Sequence, residues 1–310
     1  MTQKRHAAGR CDVAVLVDEE TVTHSGPGMC VPEPRSVEDY VFRALRARHG
    51  RVELVPFAAD VGATIARLQA LRPRLVFNLT EWMGGDRGMD AAIAGLLDLL
   101  KIRYTGTGPG GLRLARDKAL SKAIVAALGV AVPRHFVVEG KGAVRNPGLV
   151  YPLIVKPQFG DASETIGRDS VVRSEQALRR KVRALRRKIA GPLICEEFIA
   201  GNDLYVPLLG SAPEALRPIE LVIGSRSAAA PRTATYRLKN DPAYRSKWRA
   251  RWRPAAPGRP ALKAIAETSR AIFHALQLRD YARIDYRLTP DGRLVFLEAN
   301  PNPDLHPHSM

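Results

Sequence analysis

Three oxygen-bearing side chains near the carboxyl terminus could together hold a metal ion. Asp285 lies within the apolar run 281–288, and Glu298 and Asn300 lie at the end of the run 294–300. A short turn separates the two runs, so neighbouring strands would place Asp285 near Glu298, with Asn300 on the same face. Two carboxylates and an amide oxygen are suitable ligands for a Mg²⁺ ion that is also bound to a nucleotide phosphate. The alternative is an ordinary strand pair that ends in a polar turn with surface acids.

Two lysines stand where a phosphate would compensate their charge. Lys118 follows Asp117 in the first turn of an expected helix, where its charge opposes the helix dipole. A phosphate bound there would turn that penalty into a gain. Lys156 ends an apolar strand directly before Pro157, where burial without an anion is costly. Singly, each also fits an ordinary lysine with a buried stem. Together with the acidic cluster, the lysines would form the two halves of a triphosphate site.

The segment 196–199 ends another expected strand and could bind an adenine ring. The edge of a strand offers alternating N–H and C=O groups, and Phe198 and Ile199 could pack nearby. Asp203 could accept hydrogen bonds from ribose hydroxyls. The alternative is a strand with charged residues at its solvent end.

The first third of the chain alternates the strands and helices that would position these groups. The pattern predicts strands at 13–17, 52–57, 75–79 and 102–105, and helices at 36–49, 61–71 and 89–100. Such units form a parallel sheet covered by helices. Ligands bind at the carboxyl ends of its strands, which makes Glu81 and Asp86, just past one such end, candidate substrate contacts.

The remaining two thirds predict α+β modules, so the fold class is α/β with α+β modules. We expect domains at 1–116, 117–199 and 200–310. The predicted strands are 135–138, 153–157, 193–198, 204–209, 218–223 and 233–236, and the predicted helices are 117–128 and 261–276, with a glycine-bearing loop at 158–167 and an exposed connection at 252–260.

The formal net charge of +17 raises the question of a nucleic-acid partner. The densest basic run, 179–188, carries apolar residues at helical spacing and predicts an amphipathic helix with a solvated basic face. Because no aromatic-rich RNA-binding signature or zinc finger accompanies it, we do not expect nucleic acid as a partner. Attraction of ATP or of an acidic substrate fits the charge equally well.

The sequence disfavours both a membrane-spanning protein and a protein stabilised by disulfides. No apolar run approaches the roughly 20 residues that a membrane-spanning helix needs. The three cysteines, Cys11, Cys30 and Cys195, are widely spaced and suggest neither a disulfide framework nor a zinc site. A reducing cytoplasm is therefore the expected location.

The order of the motifs is more specific than any one of them. An Asp-Lys helix, Leu-Ile-Val-Lys-Pro, a loop, Glu-Glu-Phe-Ile, Arg-Ile-Asp and Glu-Ala-Asn-Pro follow one another along the chain. This order resembles the ATP-grasp superfamily and, within it, the D-alanine–D-alanine ligase-like branch. The resemblance covers about 75–309 and implies an ATP-grasp fold that follows an amino-terminal parallel βαβ domain.

The resemblance also implies the role of each site residue. Lys118, Lys156 and Lys239 would face the ATP phosphates, under the loop that contains Ser163. Glu196, Glu197 and Ile199 would meet adenine, and Asp203 the ribose. Arg283 would stabilise the transferred phosphoryl group. Asp285, Glu298 and Asn300 would hold two Mg²⁺ ions, with Mn²⁺ as a possible substitute. Ser309 would lie near the substrate carboxylate.

Departures from the family pattern bear on the substrate. The stretch 300–304 replaces a segment whose small glycine helps to form the oxyanion site, and Asp304 brings negative charge there. That charge disfavours a D-alanine carboxylate and favours a cationic or amine group. The stretch 78–86 replaces the usual histidine-and-glycine sequence, and the glutamate–serine segment that orients the first D-alanine has only an approximate match at 18–20.

The implied activity is formation of an amide or peptide bond through an acylphosphate, from small-molecule carboxylate and amine substrates, with a homodimer possible. One alternative is an ATP-grasp protein that binds nucleotide without ligase activity and acts through a partner. An end at Met310, where the family would continue with another helix, favours this alternative, and the intact lysines and acids disfavour it. A second alternative is a basic RNA-associated modifier that ligates amino acids to an acidic partner.

Overall fold

The computed structural model describes residues 10–26, 29–82, 86–140, 142–160, 167–225 and 234–306. It divides into two compact units: unit 1 comprises Met1–Pro109 and Asp304–Met310, and unit 2 comprises Gly110–Pro303. The three predicted domains with limits at 116 and 199 stay a prediction. Within the described residues, no helix has both the length and the apolar character needed to cross a membrane.

Unit 1 is built around a short parallel sheet. Its elements in chain order are β1 (Val13–Asp18), β2 (Val22–Gly26), β3 (Met29–Pro32), α1 (Val37–Arg46), β4 (Val52–Phe57), α2 (Val61–Leu71), β5 (Leu75–Asn78) and α3 (Asp90–Leu99). The sheet order is β4-β1-β5, and both pairings are parallel. Every residue of β1 is buried, which explains why it is apolar throughout until Asp18.

The predicted parallel βαβ arrangement is therefore confirmed, with two differences. The expected strand at 102–105 is wrong, because only one isolated bridge joins Val76 to Tyr104 in parallel. Two backbone hydrogen bonds form this bridge, from the Val76 N–H to the Arg103 carbonyl at 2.8 Å and from the Thr105 N–H to the Val76 carbonyl at 2.9 Å, and the pairing extends no further. The antiparallel hairpin of β2 and β3 was not predicted.

Unit 2 contains two largely antiparallel sheets. Its elements are α4 (Pro109–Arg116), α5 (Lys118–Ala127), β6 (His135–Val138), β7 (Leu153–Pro157), β8 (Val171–Val172), α6 (Glu175–Arg186), β9 (Leu193–Glu197), β10 (Asn202–Leu209), β11 (Glu214–Ala215), β12 (Ile219–Ile223), α7 (Tyr236–Asn240), α8 (Pro242–Lys247), β13 (Ala250–Pro254), α9 (Arg259–Ala275), β14 (Tyr281–Leu288) and β15 (Leu294–Asn300). One sheet has the order β6-β9-β7-β8, and the other has the order β13-β12-β10-β14-β15 with β11 beside β10.

Each sheet has its own apolar core. The smaller sheet packs on α6 through Leu178, Val182 and Leu185, which are all buried and lie at helical spacing. This confirms the predicted amphipathic helix. One of its basic residues, Lys181, is only 9% exposed and pairs with Asp169, so the basic face is less uniform than expected.

The larger sheet packs on α5 and α9. Its core includes Val125 of α5, Phe273 of α9 and the fully buried Tyr286 and Phe296 of β14 and β15. Because α5 also packs against β15 directly, the helix that begins at Lys118 is held against the strand that carries Glu298.

Two expectations in unit 2 were wrong. Tyr236 begins α7 instead of ending a strand, because Thr235 caps the helix by accepting a hydrogen bond from the backbone N–H of Leu238. Residue 233 lies outside the described residues. Trp252 belongs to β13, which pairs with β12, so the connection to α9 is shorter than the predicted 252–260.

Candidate active site

The start of α5 is held in place by its own capping residue. The Asp117 carboxylate accepts hydrogen bonds from the backbone N–H groups of Ala119 and Leu120, each at 3.0 Å, and from the Gln158 side chain at 2.8 Å. Lys118, which follows, donates its backbone N–H to the Gln158 carbonyl. Its ammonium contacts the carbonyl oxygen of Gly160, at the start of the loop expected to cover a phosphate. The helix start and the end of β7 are thus joined through polar contacts.

Three lysines and two glutamates meet beside this helix start. Lys122 Nζ lies 2.8 Å from Glu196 Oε1, and Lys156 Nζ lies 3.0 Å from Glu196 Oε2. Lys118 Nζ lies 4.0 Å from Glu298 Oε2. Glu196 and Lys122 are fully or almost fully buried, whereas the Glu298 side chain is 28% exposed. The cluster therefore presents Glu298 to solvent and keeps Glu196 inside.

The charges in this cluster shift one another's pKa values. Burial would raise the pKa of Glu196, but Lys122 and Lys156 lower it to about 2. Desolvation would likewise raise the pKa of Glu298, but Lys118, Lys156 and further lysines lower it to about 2. Burial alone would lower the pKa of Lys156, and the two glutamates instead raise it above its ordinary value. Both glutamates are thus ionised at neutral pH.

The carboxylates predicted to bind metal face each other across two strands. Asp285 of β14 pairs with Glu298 of β15 in the antiparallel register, and Arg283 pairs with Asn300. These four residues alternate along their strands and share one face. Burial raises the pKa of Asp285; Arg283 opposes this shift, and the negative charge of Glu298 adds to it. Two carboxylates and the Asn300 amide therefore converge where a divalent cation would relieve repulsion.

Arg283 is held in one orientation. Its Nε and Nη2 donate to the two oxygens of Asp285 at 2.7 and 3.0 Å, and its guanidinium lies 5.2 Å from the centre of the Tyr205 ring. A bidentate pair that also contacts an aromatic ring fixes the plane of the guanidinium. Lys239, the other predicted catalytic residue, lies in α7 and lowers the pKa values of both Asp285 and Glu298.

The residues predicted to bind adenine and ribose already have partners in the protein. The side chain of Glu197 accepts a hydrogen bond from the Val150 N–H at 3.0 Å. Ile199, two residues later in the chain, is half-buried. Asp203 lies 3.0 Å from Arg287 and accepts the Ala234 N–H at 2.9 Å. The roles of these residues toward a nucleotide stay predictions. For Glu196, the carboxylate is held by two lysines and the backbone lies opposite His135 of β6 and Ile154 of β7, and its role toward adenine likewise stays a prediction.

The predicted substrate residues that the structure describes lie in unit 1. The Glu81 N–H donates to the carboxylate of Asp18 at the end of β1, while Asp86 is exposed and accepts a hydrogen bond from the Gly88 N–H. Exposed Asp304 accepts the His306 N–H at 2.9 Å. Their roles toward a substrate stay predictions.

Two of the predicted residues, Ser163 and Ser309, lie outside the described residues. Near the end of the described residues, the ring of His306 packs edge-on against Tyr40 with centroids 4.9 Å apart.

Lys122 and Arg287 were missed by the sequence reasoning. Lys122 lies four residues after Lys118, on the same buried stripe of α5 as Ser121 and Val125. A second lysine at this spacing on an otherwise buried face is a signal that the sequence contains. Arg287 had no comparable signal, because its partner Asp203 is brought opposite it only by the pairing of β10 with β14.

Comparison with known proteins identifies the family. A profile described as "D-ala D-ala ligase C-terminus" matches residues 124–310. The chain belongs to the D-alanine–D-alanine ligase family. It is 30% identical to a D-alanine–D-alanine ligase of Granulibacter bethesdensis over 274 residues, which cover 87% of this chain and 83% of that protein.

Two other relatives illustrate the range of the family. The chain is 29% identical to a putative D-alanine–D-lactate ligase of Streptomyces coelicolor, over 73% of this chain and 63% of that protein. A crystal structure of the Bacillus anthracis D-alanine–D-alanine ligase complexed with ATP superposes with a TM-score of 0.72. It has 16% sequence identity and covers 97% of this chain and 89% of that one. The ATP-grasp fold, the family resemblance and the class of ATP-dependent carbon–nitrogen ligase are thereby confirmed, with the substrate open.

Proposed function

We propose that this chain uses Mg-ATP to join a carboxylate to an amine, and that unit 2 carries the phosphoryl-transfer site. The observation that carries the proposal is the convergence of Lys118, Lys156, Asp285 and Glu298 on one place, from α5, β7, β14 and β15. ATP-dependent phosphoryl transfer needs cations that bind the phosphates and oxygen ligands that bind a metal ion.

The first step would convert the carboxylate into a better acyl donor. A carboxylate oxygen attacks the γ-phosphorus of ATP, the bond to the bridging oxygen breaks, and ADP leaves with that electron pair. Lys118 and Lys156 bind phosphate oxygens, and Arg283, oriented by Asp285, stabilises charge on the transferred group. No protein nucleophile is required, because positioning and electrostatics account for the catalysis.

The second step would form the amide. The amine nitrogen attacks the acyl carbon of the acylphosphate, inorganic phosphate leaves, and the nitrogen loses one proton. Arg283, whose side chain is 12% exposed, would stabilise the negative charge that develops on the acyl oxygen.

The metal ligands in this proposal are Asp285, Glu298 and Asn300. Their fit rests on the two facing carboxylates and on the raised pKa of Asp285, to which Glu298 contributes. Asn300 Oδ1 also accepts the Asn302 N–H at 3.0 Å, which orients the amide oxygen. Mg²⁺ supplies charge neutralisation of the phosphates when bound, and Mn²⁺ has similar ligand preferences.

The substrate pair that we propose is an amino acid or peptide and an amine, rather than two D-alanines. Asp304 supports this choice through its negative charge in place of the small glycine that the family pattern has. We also propose the cytoplasm as location, since ATP and small-molecule substrates are available there.

The test is ADP release with Mg-ATP across a panel of D- and L-amino acids, singly and in pairs, with products weighed by mass spectrometry. Release that depends on one carboxylate, with a product lighter than its two parents by one water, supports the proposal. ATP binding without turnover for any pair would favour the alternative of a nucleotide-binding protein.

A further inference from the structure

The fully buried Lys122 is the one member of the lysine cluster to which the reaction described above gives no part. Its side chain has no exposure, and it lies one helical turn after Lys118. Burial of an ammonium group is costly unless its charge and its donors are satisfied. The contacts of Lys122 therefore indicate why α5 carries a second lysine here.

Lys122 has three oxygen neighbours. Its Nζ lies 2.8 Å from Glu196 Oε1 and donates to the Leu297 carbonyl at 2.6 Å and to the Lys118 carbonyl at 3.4 Å. These oxygens belong to β9, β15 and α5. One ammonium group thus connects the three elements that carry Glu196, Glu298 and Lys118.

The contact with Leu297 lies at an irregularity in β15. In the register with β14, Glu298 is opposite Asp285 and Phe296 is opposite Tyr286, so Leu297 between them has no opposite residue. Such a β-bulge changes the direction of the strand and of the side chains that follow. Lys122 holds the Leu297 carbonyl at this point, one residue before Glu298.

The contact of Lys122 with Glu196 determines how far Glu196 neutralises the positive charge of Lys156. Glu196 carries one negative charge and is shared by Lys122 and Lys156. With both lysines charged, the trio has a net charge of +1, which attracts an anion. Without Lys122, Glu196 and Lys156 would neutralise each other, and the carboxylate would compete with a phosphate for the Lys156 ammonium.

We propose that Lys122 is a positioning residue for ATP phosphates: it neutralises Glu196, so that Lys156 keeps its charge for the phosphates, and it fixes the β15 bulge beside Glu298. The proposal rests on the assignment of the phosphate site above. It does not depend on which carboxylate and amine are joined.

The proposal is tested by calorimetric titration of the Lys122→Met variant with nucleotides. Methionine keeps the volume of the lysine stem and removes its charge. We expect the Kd for ATP to rise about tenfold or more, from the loss of one nearby charge at low effective dielectric. The Kd for AMP, which lacks the β- and γ-phosphates, should change less than about twofold. Lys263→Met, which removes one charge from an exposed site of α9, should bind both nucleotides as the wild type does.

The double variant Lys122→Met/Glu196→Gln separates charge competition from simple support of the fold. Removing the carboxylate charge frees Lys156 again, so we expect most of the lost ATP affinity to return. If Lys122→Met does not fold, the double variant carries the test, and a Kd for ATP within about threefold of the wild type is expected.

Three results would overturn the proposal: unchanged ATP affinity in folded Lys122→Met, equal loss of ATP and AMP affinity, or no recovery in the double variant. The proposed ligation is judged separately, from product formation by the wild type. Wild-type protein that binds ATP but forms no product would contradict the ligase assignment and leave this test intact.

Discussion

Asp285 and Glu298 lie directly opposite each other across β14 and β15, so that two carboxylates share one face of the sheet. Arg283 holds both oxygens of Asp285, while Lys118 approaches Glu298 from α5. The two acids therefore have different partners, although they are neighbours. This difference makes Glu298 the more accessible ligand for a metal ion, and its side chain is 28% exposed.

Glu298→Gln should weaken the dependence on Mg²⁺. The amide keeps the shape of the side chain but loses the charge that attracts the ion, so we expect the Mg²⁺ concentration for half-maximal ADP release to rise about tenfold or more. Titration of activity with Mg²⁺ measures this. Glu267→Gln on α9, whose side chain is 56% exposed, is the matched control. If Glu298→Gln keeps the wild-type dependence on Mg²⁺, Glu298 is not a metal ligand.

Lys156→Ala should abolish ATP turnover while the protein stays folded. The variant loses a buried charge that we propose to bind the ATP phosphates, whereas Lys122 still neutralises Glu196. We expect the rate of ADP release to fall by about a hundredfold or more. Circular dichroism checks the fold, and Lys263→Ala serves as the exposed control. Unchanged turnover would contradict the phosphate assignment of Lys156.

Asp18 predicts a pH dependence of stability. Burial, with smaller contributions from Glu38 and Glu20, raises the pKa of Asp18 to about 6, although the N–H groups of Glu81 and Trp82 donate to its carboxylate. The folded protein therefore holds this proton more tightly than the unfolded chain does. The resulting stabilisation is present below about pH 4 and is lost as pH rises through about 6.

Asp18→Asn should consequently stabilise the protein at pH 7.5 by about 1 to 3 kcal/mol, because the amide oxygen can still accept and no charge is buried. Thermal unfolding of both proteins between pH 3.5 and 8 measures the difference, which should vanish at the acidic end. Asp98→Asn, at an exposed position of α3, is the control. A loss of stability at pH 7.5 would show that the charged form is the one the fold requires.

The exposed arginines of α6 should not contribute to ligation. Arg180 and Arg183 of α6, and Arg187 directly after its end, are exposed and lie at helical spacing on one side. Replacing all three by glutamine should leave ADP release within about twofold of the wild type. Any retention of a DNA or RNA oligonucleotide by the wild type should be weak and should disappear as salt is raised to about 0.2 M. Tight binding that falls steeply as salt is raised, and that the triple variant loses, would instead support the RNA-associated alternative.

Asp304 is expected to affect the choice of substrate. Asp304→Gly removes a negative charge from an exposed position, and the use of D-alanine should then increase about tenfold in kcat/KM. Competition between D-alanine and a diamine-bearing amino acid, followed by mass spectrometry, measures the change. Asp291→Gly, in the turn between β14 and β15, is the control. If both variants keep the wild-type preference, Asp304 does not contact the substrate.

Most elements and the family could be predicted from the sequence because their signals are local. The buried stripe of α6, the apolar runs of β14 and β15 and the caps of α1 and α5 are properties of a few neighbouring residues. The motif order along the chain was sufficient to indicate an ATP-grasp ligase, and the family comparison confirmed it. Predictions failed at short segments: 102–105 pairs with β5 at one bridge only, and at 234–236 the Thr235 cap of α7 outweighs β propensity.

What the sequence by itself determined is therefore the kind of residues available for chemistry and the order in which they occur. Only the tertiary structure decided which of these residues form ion pairs with one another. The carboxylate of Glu196 lies between Lys122 and Lys156, and Asp203 lies against Arg287. The physical reason is that an ion pair depends on distances across sheets and helices that are remote in the chain, whereas propensity and periodicity act over only a few residues.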